Sequence, residues 1–215
     1  MQAPIDTKPR WERRKDARPQ ELLAAALDLF VERGFAATRL EDVAKRAGVS
    51  KGTLYLYFEN KQELFKAVVR DSIVQSIGEA EISLAASEDS TSDLLRSMMM
   101  QWWQEVGATK VGGLAKLMMA ESNNFPELAQ FYNDEVVTRG SAFMASLVER
   151  GIRRGEFRQV DPVLVSAILC APMNMLMLWT HSMLPCEVKD LDPLAYLDTL
   201  VDMSLRGLLL HPPGP

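Results

Sequence analysis

Apolar residues recur every three to four positions along nearly the whole chain, and no stretch alternates convincingly with the period of two that marks a strand. The pattern predicts an all-α fold. A first helix starts near Pro19, a good first-turn residue, and ends at Gly34, with Leu22, Leu23, Ala26, Leu29 and Phe30 along one face. Three further helix starts are written in capping signals. Thr38 with Glu41 reads as a capping box opening a short helix that Ala47-Gly48 closes. Ser50 reads as the cap of a helix from Lys51 to Phe58, and Asn60 with Glu63 caps one running from Lys61 past Ile77. Beyond a polar break at 87–92 the periodicity gives helices over about 93–106, 110–122 and 126–155. Two more, 162–186 and 193–210, each start with a proline behind a capping aspartate, Asp161 and Asp192.

The turn Gly48-Val49-Ser50 is only as long as the one that sets two helices at a steep angle in a helix-turn-helix. The helix after it is short and polar on one side, and offers Lys51, Gly52, Thr53, Tyr55 and Tyr57, residue types suited to base edges and phosphates. Leu54 and Phe58 fall by spacing into the core; for Tyr55, packing the small core is a second reading. The stretch from about 18 to 65 resembles the DNA-binding domain of TetR-type transcriptional regulators. The residues carrying the likeness are Ala26, Leu29-Phe30, Gly34-Phe35, Thr38, Val43-Ala44, Ala47 through Ser50, Gly52, Leu54-Tyr55, Tyr57-Phe58, Lys61 and Leu64. Arg39 departs from the Ser or Thr common there and is expected to add a phosphate contact, leaving Thr38 as the cap. The resemblance implies that Lys51, Gly52 and Thr53 read bases while Tyr55, Tyr57 and Lys61 meet phosphates. It also implies a dimer on a palindromic operator in double-stranded DNA, released when an effector binds.

Charge divides the chain in the same place. Residues 1–70 hold 14 Lys/Arg against 10 Asp/Glu, and the remainder holds 10 against 19, so a basic head of +4 precedes an acidic body of −9. Such a molecule touches DNA with one end. The expected organisation is a flexible basic arm over 1–17, a helix-turn-helix domain over 18–66, and a helical ligand-binding and dimerisation domain over 67–215. The arm carries Lys8, Arg10, Arg13, Arg14 and Lys15, for phosphates or a minor groove, or as a solvating tail.

The body lacks a nucleophile–base–orienter set, a glycine-rich phosphate loop or a metal cluster, which argues against an enzyme and calls for no cofactor and no metal. Cys170 and Cys186 make no disulfide framework, and with no signal peptide ahead of the basic segment the expected compartment is the cytoplasm. Methionines and aromatics suggest a pocket for a small, mainly apolar effector: Met98, Trp102, Met118, Phe131 and Met177, with Asn174 and His181 as polar contacts. Phe125 and Met144 are further candidates, and Pro172 is expected to kink its helix beside the cavity.

No Asp, Glu, Lys or Arg occurs from Pro162 through Cys186. One reading is a helix buried on several sides beside a partner subunit; the alternative is a span, making the protein a membrane-tethered regulator. Ser166, Pro172, Asn174, Thr180 and His181 disfavour the span. The last helix has two apolar stripes, Leu194, Leu197, Val201, Leu205, Leu208 and Tyr196, Leu200, Met203, Leu210. One would face its own body and the other a second copy, so that two helices per chain form a four-helix homodimer bundle without membrane contact.

Overall fold

The computed structural model describes the backbone of residues 10–182 and 191–210, with side chains from Pro19 onward. Among the described residues everything regular is helical, apart from one isolated antiparallel bridge between Phe157 and Leu209. The chain divides into two compact units, Met1–Val68 and Val69–Pro215. Cys186 and His211 lie outside the described residues, as do the first nine positions of the expected arm and the end of the expected helix over 162–186.

The first unit holds α1 (Arg10–Ala37), α2 (Leu40–Arg46), α3 (Lys51–Tyr55) and most of α4 (Lys61–Val69). Helix α1 starts at Arg10 rather than near Pro19, so its backbone is helical through much of the segment expected as a flexible arm. It breaks at Gly34, where φ is 86°. The core of this unit is a trio of buried rings. Phe30 and Phe35 stack at 5.6 Å, and each meets the edge of Phe65, at 5.4 and 5.6 Å. Leu22, Leu29, Val43, Leu54 and Leu64 close around them.

Two sequence-derived caps hold and one fails. The Ser50 hydroxyl accepts from the Thr53 N–H at 3.1 Å, and the Asn60 amide oxygen accepts from the Glu63 N–H at 2.9 Å. Thr38 does not open α2. Its buried hydroxyl reaches backward to the carbonyls of Gly34 at 2.7 Å and Leu29 at 3.1 Å, bridging the break at Gly34. The N-cap position falls on Arg39, whose side chain makes no capping bond. At the other end of α2, Gly48 takes φ +67° while Val49 N–H reaches the Ala44 carbonyl at 2.9 Å, the paired bonding that ends a helix on a left-handed glycine.

In the second unit three helices are interrupted by single π turns: Arg70–Val74 leads into α5 (Gln75–Ala86), Trp103–Gly107 follows α6 (Thr91–Trp102), and Asn133–Thr138 joins α8 (Pro126–Tyr132) to α9 (Arg139–Arg153). A short 3₁₀ turn, Lys110–Gly112, precedes α7 (Gly113–Glu121). Helices α10 (Pro162–Ser182) and α11 (Pro193–Leu208) begin as expected, with Asp161 accepting from the N–H groups of Val163 and Leu164 and Asp192 from that of Leu194.

Helix α10 is long and apolar enough to cross a bilayer, yet it packs on α7, α9 and α11. Ser166, Leu169, Met173, Leu176 and Met177 are the side chains it buries; Val163, Leu164 and Ile168 are 63–68% exposed. In α11, Leu197, Val201, Leu205 and Leu208 face the body's own core. Met203 and Leu210 of the other stripe remain exposed, Tyr196 and Leu200 are half-buried, and Leu194 is exposed too.

Candidate nucleic-acid interface and ligand cavity

Helix α3 is five residues long, shorter than the Lys51-to-Phe58 helix expected, because its chain turns after Tyr55. Leu54 anchors it in the core; Phe58 is half-buried. That leaves Lys51 and Gly52 exposed and Thr53 half-exposed, with Tyr55 and Tyr57 at 45% and 38% exposure. The exposure of Tyr55 overturns its reading as a core ring. Leu56, 83% exposed between the two tyrosines, is an apolar surface residue the sequence reading passed over.

The Lys51 ammonium rests 2.5 Å from the Glu41 carboxylate and 5.7 Å from the Tyr55 ring centroid. The hydrogen bond holds the Glu41 carboxyl below the usual range and raises the Lys51 ammonium above its own. Both groups are exposed, so the pair is readily exchanged for another anion. Thr53 shares a hydroxyl–hydroxyl contact of 2.8 Å with Ser50. A Cβ on Gly52 would find nothing nearer than the Ser50 hydroxyl at 3.8 Å. The protein's own packing does not require glycine there.

Lys61 is placed differently from expectation. Its ammonium donates to three carbonyls, Phe35 at 2.6 Å, Thr38 at 2.9 Å and Ala36 at 3.1 Å, and lies 4.5 Å over the Phe35 ring. Three donors meet three acceptors, so the group expected on a phosphate instead satisfies the chain that follows the break at Gly34. Arg39 is exposed at the N-cap position of α2.

The second unit contains a cavity of about 400 Å³. Of the residues expected to line a pocket, Met98, Trp102, Met118, Asn174 and Met177 do so, as does Met144. Phe131 and His181 do not. Phe131 lies under the Arg70 guanidinium, 5.0 Å from its ring centroid. His181 has a ring nitrogen 2.8 Å from the Gly107 carbonyl, tying α10 to the π turn after α6; a Cβ at Gly112 would come within 2.6 Å of that nitrogen. The lining also takes in Met99, Met119 and Met173, so seven methionines face the cavity. Every π turn contributes: Ile73 from the first, Glu105 and Val106 from the second, Asn133, Val136 and Val137 from the third. Such turns redirect side chains that a regular helix would place elsewhere and occur often at functional sites. Cys170 is part of the wall, and burial pushes its thiol up. Among the described residues no cluster has the composition of a metal site.

Comparison with known proteins matches both halves. Residues 22–68 fit the family model of bacterial regulatory proteins, tetR family, and residues 86–203 fit that of the tetracyclin repressor-like C-terminal domain. An uncharacterized HTH-type transcriptional regulator of Bacillus subtilis, YfiR, is 27% identical over 166 residues, covering 74% of this chain and 78% of that protein. The fatty acid metabolism regulator protein of the same organism is 25% identical over 147 residues, covering 67% and 74%. The crystal structure of the Bacillus subtilis regulator FadR in complex with stearoyl-CoA shares the fold, with a TM-score of 0.69 at 19% identity over 87% of this chain and 98% of that one. The membrane-tethered alternative finds no support among these relatives. With a helix-turn-helix at one end and a hollow helical body at the other, each matched by its own family model, this chain belongs to the tetR family of ligand-responsive, DNA-binding transcriptional regulators.

Proposed function

We propose that the protein is a cytoplasmic repressor that binds a palindromic operator as a homodimer and leaves it when an apolar effector fills the body cavity. Lys51 and Thr53 read base edges, Gly52 lets the backbone come close, and Arg39, Tyr55 and Tyr57 hold phosphates. Lys61 is withdrawn from that set, because its donors already serve three carbonyls. The observation that carries the effector half is the cavity, in a body whose described residues contain no metal-binding cluster. Support comes also from the fold neighbour solved in complex with stearoyl-CoA.

Dimerisation is proposed through the uncovered faces of α10 and α11. Val163, Leu164, Ile168 and Met203 present exposed apolar surface on two helices that touch each other. One five-residue recognition helix spans too few bases for tight binding, and two half-sites one helical turn apart are the usual remedy.

The test follows reciprocity. A compound that enters the cavity must weaken operator binding by the factor by which operator weakens the compound, typically about 5–150-fold. Titrating a cavity ligand with and without operator, while following operator anisotropy, checks this. Equal ligand affinity in both conditions would reject the sensor reading, and a monomer by sedimentation at micromolar concentration would reject the dimer.

A further inference from the structure

We propose that the cavity selects an uncharged apolar molecule carrying one carbonyl or hydroxyl oxygen, that this oxygen pairs with the Tyr132 hydroxyl, and that carboxylates are turned away. The proposal rests on reading the cavity as the effector site, and it adds a residue that neither the sequence pattern nor the family likeness singles out.

Tyr132 is the last residue of α8, where the helix passes into the π turn Asn133–Thr138, and its side chain lines the cavity. Its hydroxyl has no hydrogen-bond partner among the described residues. No sealed side-chain oxygen or nitrogen among them is left unsatisfied either, so the hydroxyl looks onto open space. A phenol that opens into a largely apolar hollow and serves no protein group is a donor free for a guest, whose oxygen can take the bond in place of water. Burial pushes its pKa upward, which keeps it an O–H donor across the physiological range.

The charges around the cavity fix the rest. Its lining contains no Lys, Arg or His, and Glu105 is its one carboxylate, accepting from the Gln101 amide at 2.9 Å. A ligand carboxylate inside would meet no cation, and an ammonium would find only the exposed Glu105, so either charge would sit largely unpaired in an apolar site, which is far costlier than an unpaired dipole. An uncharged oxygen needs only the phenol. Pliable methionines around it accept varied carbon skeletons, so the polar contact sets chemical class and the walls set little beyond size.

The experiment uses the full-length protein and a neutral reporter without a carbonyl, N-phenylnaphthylamine, whose emission rises in apolar surroundings. Decyl methyl ketone, dodecanoate and dodecyltrimethylammonium then compete for it at neutral pH. The ketone should displace the reporter at a concentration at least roughly tenfold below that of dodecanoate, given the cost of an unpaired charge. Tyr132→Phe should weaken the ketone by roughly 3–10-fold, the worth of one neutral hydrogen bond, while leaving the reporter's own affinity unchanged. Glu105→Gln should improve dodecanoate and leave the ketone as it was. Dodecanoate or the ammonium binding as tightly as the ketone overturns the claim of an uncharged ligand. An unshifted ketone in Tyr132→Phe overturns the role of the phenol. If the reporter enters neither the wild type nor any variant, or enters equally after Met118→Trp fills the space, the cavity itself is not a binding site, and the effector reading fails rather than the selectivity.

Discussion

The two units pack their interiors with different materials. In the first, Phe30 and Phe35 stack and both meet the edge of Phe65 in a small buried core. In the second, seven methionines line a hollow. A ring has two torsions and a preferred contact geometry, so a core of rings holds its surface in one shape. Methionine has three rotatable bonds and a polarizable sulfur, so a methionine wall changes shape at small cost. On the reading proposed above, the unit that presents six residues to DNA in fixed register is stiff. The one that must admit a guest is soft. What distinguishes reader from sensor here is the choice of buried side chain as much as the surface.

That contrast can be broken by substitution. Phe65→Ala removes a fully buried ring and should cost about 3–5 kcal/mol, measured by urea denaturation, with loss of operator binding. Next comes Lys61→Met, which strips three carbonyls of their donor and should cost about 1.5–3 kcal/mol. Its operator affinity, once corrected for stability, should keep the wild-type salt slope; a slope reduced by about one would restore Lys61 to the phosphate contacts. Gly48→Ala should cost about 1–2 kcal/mol through backbone strain alone, since φ is +67° and no atom lies within 4 Å of the new Cβ.

Smaller effects sharpen the comparison. Met118→Leu in the soft wall should cost under about 1.5 kcal/mol while altering which apolar reporter binds, a split visible by pairing thermal melts with ligand titration. Gly52→Ala should raise stability by about 0.5–1 kcal/mol, because it sits in a helix with open space around it. Operator binding should nonetheless fall. If Gly52→Ala binds operator as well as wild type, close backbone approach at that position is wrong.

Legibility from sequence follows the range of the interaction. Ser50, Asn60, Asp161 and Asp192 were readable as caps because each acts on an N–H two or three residues away. Thr38 looked identical in that window, but its hydroxyl turns back to the carbonyls of Gly34, four residues away, and Leu29, nine away. The three carbonyls that hold the Lys61 ammonium lie beyond any such window, 23 to 26 residues away. Most of the methionine lining emerged from composition and helical spacing. Phe131 and Tyr132 are neighbours that helical spacing alone cannot rank; Tyr132 meets the cavity while Phe131 meets Arg70. His181 carried the right chemistry for a ligand but is spent on the Gly107 carbonyl.

The π turns bear on how such a body changes over generations. Each amounts to one residue more than a regular helix would use for the same stretch, and each places residues in the cavity wall. Deleting one residue from such a turn leaves a continuous helix whose later residues keep their faces, whereas the same deletion from a regular stretch would rotate everything beyond it by about a hundred degrees, since 3.6 residues make a turn. The wall can thus gain or lose a residue at these turns without re-aiming the rest of the helix. Drift in ligand specificity should therefore be recorded in single-residue gaps at 70–74, 103–107 and 133–138, as well as in replaced side chains.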